Sequence, residues 1–175
     1  MAKDYSKEEL AEWFKEKALN ASGPAARKVL FGANNRLSDD TFVGKLYVYK
    51  YDAKTKATLN MWDKYPLCMV LEKTKDGFLG LNLHYLPSGS RMTFLNAFDK
   101  YARDYKLTTG VNSGKGVSNW ELLIRSFNTF GLAPLPRACL KRYLFTHIRS
   151  RFVEIYPEEF DKAVQLPIDL WEYKR

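Results

Sequence analysis

Gly44-Lys45-Leu46-Tyr47-Val48-Tyr49-Lys50-Tyr51-Asp52 and Gly77-Phe78-Leu79-Gly80-Leu81-Asn82-Leu83-His84-Tyr85-Leu86-Pro87 decide how this chain folds. In the first stretch Leu46, Val48 and Lys50 alternate with Tyr47, Tyr49 and Tyr51, a period of two that reads as a strand with its aromatics on one face. Between the two stretches, Leu67 to Leu71 is an unbroken apolar run, as in a strand buried on both faces. Lys75-Asp76-Gly77 supplies the hairpin turn that returns the chain into Phe78, Leu79, Leu81 and Leu83. Short antiparallel strands joined by tight turns predict a small SH3-like β-barrel or a twisted sheet.

Helices flank this β-structure. Ser6 with Glu9 forms a capping box, and Leu10, Trp13, Phe14 and Ala18 recur at helical spacing, predicting an amphipathic helix from Ser6 to about position 20. Pro24 opens a short second helix, and Gly32 to Asp40 reads as a polar linker. Met92, Leu95, Phe98, Ala102 and Tyr105 share one face of a helix from about Ser90 to Tyr105. Ser118 and Glu121 cap a further helix. Cys139, Leu140, Tyr143, Leu144, His147 and Ile148 recur as another helical stripe; Phe152, Val153 and Ile155 add a strand; and Pro157 opens a short acidic helix. The class is therefore α+β, with a helical arm and linker over residues 1–40 and one domain over 41–175.

Among 175 residues, 46% hydrophobic and 15% aromatic, there is material for one packed core. Twenty-eight lysines and arginines against twenty acids give a net charge of +8, which favours polyanionic partners such as nucleic acid. Cys68 and Cys139 stand in apolar surroundings and read as buried reduced thiols. No apolar run approaches the roughly 20 residues that span a bilayer, and the N-terminal residues lack an apolar signal core. A protein made in the cytosol, with no membrane partner, is expected.

No reaction centre is visible. His84 and His147 each lack a second ligand at helical spacing and read as structural. The neighbouring acid pairs Asp39-Asp40 and Glu158-Glu159 point different ways in a helix. The loop Thr109 to Gly116 places Lys115 between Gly114 and Gly116, without the Ser or Thr that a phosphate-binding loop needs after its lysine. No catalytic residue, metal ligand or cofactor is expected.

Binding residues are visible. Arg137, Lys141, Arg142, Arg149 and Arg151 put five cations into fifteen residues. On a helix, positions 137, 141 and 142 share a face, with Arg149 near it. Such a strip neutralises phosphates without reading sequence. The competing reading pairs it with the acids Glu158, Glu159, Asp161 and Asp169. Trp13 and Phe14, with the tyrosine face of Tyr47, Tyr49 and Tyr51, are candidate protein interfaces; aromatic strand faces serve as core or as interface, and base stacking on the tyrosines is the lesser alternative.

The strings Lys50-Tyr51-Asp52-Ala53-Lys54-Thr55-Lys56-Ala57-Thr58-Leu59 and Trp62-Asp63-Lys64-Tyr65-Pro66-Leu67, followed by Gly77 to Pro87, resemble a family of small virion-associated proteins of contractile-tailed bacteriophages, the myoviruses. Lys141-Arg142-Tyr143-Leu144-Phe145-Thr146-His147-Ile148-Arg149-Ser150-Arg151-Phe152 fits the same family. Ala53 departs from the commoner Tyr-Asp-Pro turn, and the N-terminal helix lies outside the matching block. The resemblance implies a non-enzymatic virion structural protein of the DNA end protector type, seated at the DNA end or the head–tail machinery and assembled in the host cytoplasm. Its implied partners are double-stranded DNA ends and neighbouring phage structural proteins within a multi-subunit complex. A tail or baseplate subunit acting only through protein contacts is the alternative. Replacing all five cations by Ser is expected to abolish DNA binding or incorporation into particles, measured by filter binding and by assay of purified virions.

Overall fold

The structure, a computed structural model, describes residues 24–33, 36–59, 61–109, 137–166 and 170–172, with 9, 12, 16 and 168 as single positions. The expected helices over 6–20 and 118–127, the loop from Gly110 to Gly116, and Trp13 and Phe14 lie outside the described residues. Strands β1 (Leu37–Ser38), β2 (Leu46–Val48), β4 (Leu67–Thr74), β5 (Gly77–Asn82), β6 (Leu140–Leu144) and β7 (Phe152–Ile155) form one antiparallel sheet. Its order is β1-β7-β2-β4-β5-β6. A separate two-stranded ribbon pairs β3 (Met61–Asp63) with β8 (Leu170–Glu172). Helix α1 spans Pro24–Gly32, α2 Ser88–Thr109 and α3 Phe160–Ala163. The fold is thus α+β with an open, twisted sheet.

Alternation in β2 and β4 distributes side chains to two cores, one on each face of the sheet. Leu46, Val48, Leu67, Met69 and Leu71 join Val153, Ile155 and the helix residues Leu30, Phe94, Leu95 and Phe160. Tyr47, Tyr49, Tyr51, Cys68, Val70, Phe78, Tyr143 and Phe152 form the other cluster. The apolar run at 67–71 is accordingly buried throughout, as expected of a central strand with both faces covered.

Of the two readings of the tyrosine face, core and protein interface, the fold takes the first. Tyr47 and Tyr49 are fully buried and Tyr51 retains 9% of its surface. Tyr49 is the hub, with ring centroids 5.1 Å from Phe152, 5.4 Å from Tyr143 and 5.9 Å from Phe78. Edge-to-face pairs of this kind contribute about 0.5–1.5 kcal/mol each beyond the area they bury. They also bend the sheet. Phe78 on β5 and Phe152 on β7 are three strand spacings apart, roughly 14 Å in a flat sheet, yet their ring centroids lie 6.2 Å apart. A register shift between Val70 and Glu72 helps the curl, since a bulge bends its strand and raises its twist.

Two further expectations change. The stripe from Cys139 to Ile148 is not a helix but a 3-10 turn, strand β6, and a second 3-10 turn at Phe145–His147. Tyr143 satisfies either period, and docking on Phe78 across β5 fixes the strand. The body also begins before position 41. Leu30 is fully buried, β1 pairs with β7, and Arg36 donates to Glu159 from wholly buried side chains. Burial pushes the Glu159 carboxyl up, opposed by Arg36 and by the Tyr156 backbone N–H.

Gly77 closes the β4–β5 turn where β6 lies against it. A Cβ there would stand 1.8 Å from the Tyr143 carbonyl oxygen, a backbone atom that cannot rotate away. Gly77→Ala is expected to cost about 2–3 kcal/mol through overpacking, lowering the melting temperature by about 4–12 °C in a thermal denaturation scan.

Candidate nucleic-acid interface

Because β2 and β7 are paired neighbours, with Val48 opposite Val153, the chain after β2 runs against the connection that leads from β6 into β7. Arg149 N–H donates to the Lys50 carbonyl at 2.8 Å and Asp52 N–H to the His147 carbonyl at 3.0 Å. Lys50 N–H donates to Ser150 Oγ at 2.8 Å, and Tyr51 bridges Ile148. His147 Nδ1 bonds the Asp52 carbonyl at 2.9 Å, so this histidine is a structural pin.

Three depressions run along this seam and share walls. The first, about 380 Å³, is lined by Lys54, Tyr85, Lys141 and Arg142 among others. It shares Tyr51 and Trp62 with the second, about 470 Å³, which adds Lys50, Lys64 and Arg149. That one shares Lys50 and Tyr65 with the third, about 510 Å³, which adds Lys28, Phe31 and Arg151. Together they make one trough with eight lysines and arginines against the three aspartates Asp52, Asp63 and Asp76. Eight like charges along one groove attract a polyanion at long range.

Four of the five expected cations, Lys141, Arg142, Arg149 and Arg151, line this trough. They reach it from a strand and a turn rather than from a helix face. Arg137 opens the 3-10 turn before β6, and its side chain lies outside the described residues. Lys28, Lys50, Lys54 and Lys64, with the aromatics Trp62 and Tyr65, come from segments far from that basic run. Apart from Lys28, their sequence signal was the Lys-rich Lys50 to Lys64 stretch, legible only as a turn without the fold.

Among the described residues, Arg142, Arg149 and Arg151 pair with aspartates other than the tail acids. Arg142 Nη2 donates to both Asp76 oxygens at 2.7 and 2.9 Å. Arg151 holds Asp39 with two bonds, at 2.6 and 3.2 Å, and Arg149 stands 3.7 Å from Asp52. Lys56 beside Asp52 and Arg142 beside Asp76 hold those two carboxyls below the usual carboxylate range. Lys141 lies over the Tyr85 ring, 4.6 Å from its centroid. Lys28, Lys50 and Lys54 have no ion-pair partner among the described residues.

At the Lys141–Arg142 end of the trough, Asp63 is 4% exposed and accepts bonds from Asn82 Nδ2 at 3.1 Å and Tyr65 N–H at 3.0 Å. His84 Nδ1 pairs with the same carboxylate at 2.5 Å. Asn82 Nδ2 also reaches the Tyr143 hydroxyl at 3.1 Å, tying this polar cluster to the aromatic core. Burial raises the Tyr143 phenol well above its ordinary value and keeps it neutral. Cys68 and Cys139 are buried free thiols, with burial pushing both up. Among the described residues no three His, Cys, Asp or Glu side chains gather as a metal site. No helix there is long and apolar enough to cross a membrane.

The family model described as Phage T4 terminal DNA protecting protein matches residues 27–175, which takes in every described element from α1 onward except the first residues of that helix. No curated protein and no solved structure matches the chain.

Because Asp39, Asp52 and Asp76 occupy arginines that a phosphate would otherwise meet, each aspartate competes with a bound polyanion. Replacing any one with Asn is expected to tighten binding to a short labelled duplex by up to about fivefold at low salt, matching the roughly 0.2–1 kcal/mol of an exposed pair. Fluorescence anisotropy reads the change.

Proposed function

The chain belongs to the phage T4 terminal DNA protecting protein family, and on that premise we propose that it binds the ends of linear duplex DNA through the basic trough and shields them from exonucleases. The observation that carries this reading is the convergence of Lys28, Lys50, Arg149 and Arg151, from distant segments, on one seam of the fold. Phosphates bound there release counterions, so affinity falls linearly with salt on a log–log scale. Protection then needs no bond to be made or broken. The protein occupies the terminal backbone and denies a nuclease its footing, and it travels with the packaged genome in the virion.

The alternative, a tail or baseplate subunit working only through protein contacts, draws no support from the aromatic strand. Its tyrosines are spent on the chain's own core. Trp13 and Phe14, its other footing, lie outside the described residues.

Purified protein is expected to bind blunt linear duplex more tightly than closed circular duplex and to slow digestion of the linear form by an exonuclease. Serine at Lys28, Lys50, Arg149 and Arg151 together should remove that protection. Each lost phosphate contact should reduce the slope of log affinity against log salt by about 1. Weak binding that ignores ends, with no protection, would reject the reading and make subunit contacts the function.

A further inference from the structure

We propose that the first depression, at the Lys141–Arg142 end of the trough, is a pocket for the terminal nucleotide of the DNA end, unpaired from its partner strand and turned out of the duplex. This rests on the DNA-end reading and adds how an end differs from the duplex behind it. The other two depressions offer cations along a wall, which suits a continuous backbone and does not distinguish an end from an internal site. The first, about 380 Å³, falls like its neighbours within the roughly 300–1,000 Å³ typical of small-ligand sites, and its lining combines three chemistries.

Cations stand among its lining residues, with Lys54 and Arg142 both exposed side chains. The half-buried Tyr85 ring faces the cationic head of Lys141. A base is a flat π-system that stacks on such a ring without regard to its identity, and displacing Lys141 frees it for the nucleotide's phosphate. Asp63 supplies the third element, a carboxylate fixed by His84, Asn82 and the Tyr65 backbone. Its side chain is 2% exposed, so it fixes the floor of the pocket beneath the ring and does not itself touch the base. The rest of the duplex lies along the seam toward Arg149 and Arg151.

Turning out a terminal base costs less than turning out an internal one, because stacking is lost on one side only. A closed duplex offers no such nucleotide. The pocket therefore converts general phosphate affinity into preference for an end.

The test uses two duplexes of identical sequence and length, one with open blunt ends and one with both ends closed by hairpin loops. Wild-type protein is expected to bind the open duplex about tenfold more tightly, a difference of about 1.4 kcal/mol. Thr55→Trp and Met61→Trp narrow the pocket from exposed lining positions. Each is expected to bring the ratio to about one while leaving affinity for the hairpin-capped duplex unchanged; thermal melts verify that each variant folds. Tight, salt-dependent binding of both duplexes by wild type with a ratio near one would overturn the pocket and leave the DNA-binding trough standing. A wild-type preference that survives in both folded variants would also overturn it. Failure to bind either duplex would reject the DNA-end reading itself, and the pocket with it.

Discussion

The core of this molecule is organised around Tyr49. Rings from β5, β6 and β7 converge on that one phenol. The seam beside them comes from strand pairing: β2 and β7 are neighbours, with Val48 opposite Val153, so Lys50 to Asp52 and Arg149 to Arg151 meet where the same antiparallel pairing runs on past the strand ends. The basic trough is thus a by-product of strand order, with cations carried on the rim of a sheet whose interior is hydrophobic. This explains how a chain with no long basic tract among its strands presents a concentrated positive groove.

A second constraint lies beneath the groove. A carboxylate taken out of water destabilises the fold unless its lone pairs are satisfied, and Asp63 is satisfied by a histidine, an amide and a backbone N–H. These donors come from β5, from the 3-10 turn that follows it, and from the loop after β3. The polar cluster therefore fixes the two-stranded ribbon against the main sheet. Arg91 reinforces the same corner by donating Nε to the Leu83 and Leu86 carbonyls at 2.9 and 3.1 Å. A rigid floor is what a recognition pocket needs, because side chains already held in place lose little entropy when a ligand arrives.

The central strands were legible because their patterns have one physical solution. A run such as Leu67 to Leu71 must be covered on both sides, and the Lys75-Asp76-Gly77 turn must reverse the chain. The helix Ser88–Thr109 was legible for the same reason, with Phe94, Leu95 and Phe98 on its buried face. Illegible was whatever depended on partners distant in sequence. The tyrosines alternate as an exposed face would, and only the curl of the sheet buries them. The segment Leu140 to Ile148 fits a helical period and a strand equally, until β5 offers its edge. The basic residues were found as a run, but their grouping with Lys28, Lys50 and Lys64 is a property of the seam.

One feature of the topology bears on how the molecule comes into being. The strand that enters the sheet last in the chain, β7, does not sit at an edge but between β1 and β2. The chain must therefore be made through Ile155 before the centre of the sheet can close, and Arg36 and its partner Glu159 stand 123 positions apart in sequence. Pairings so remote in sequence slow folding, because loop-closure entropy is lost before the contacts form. A chain cut short before Phe152 leaves β1 without any partner and one edge of β2 bare, a template for unwanted strand pairing. A chain lacking β7 is thus not a smaller version of the same fold but a sheet split between β1 and β2, with two bare edges open to aggregation.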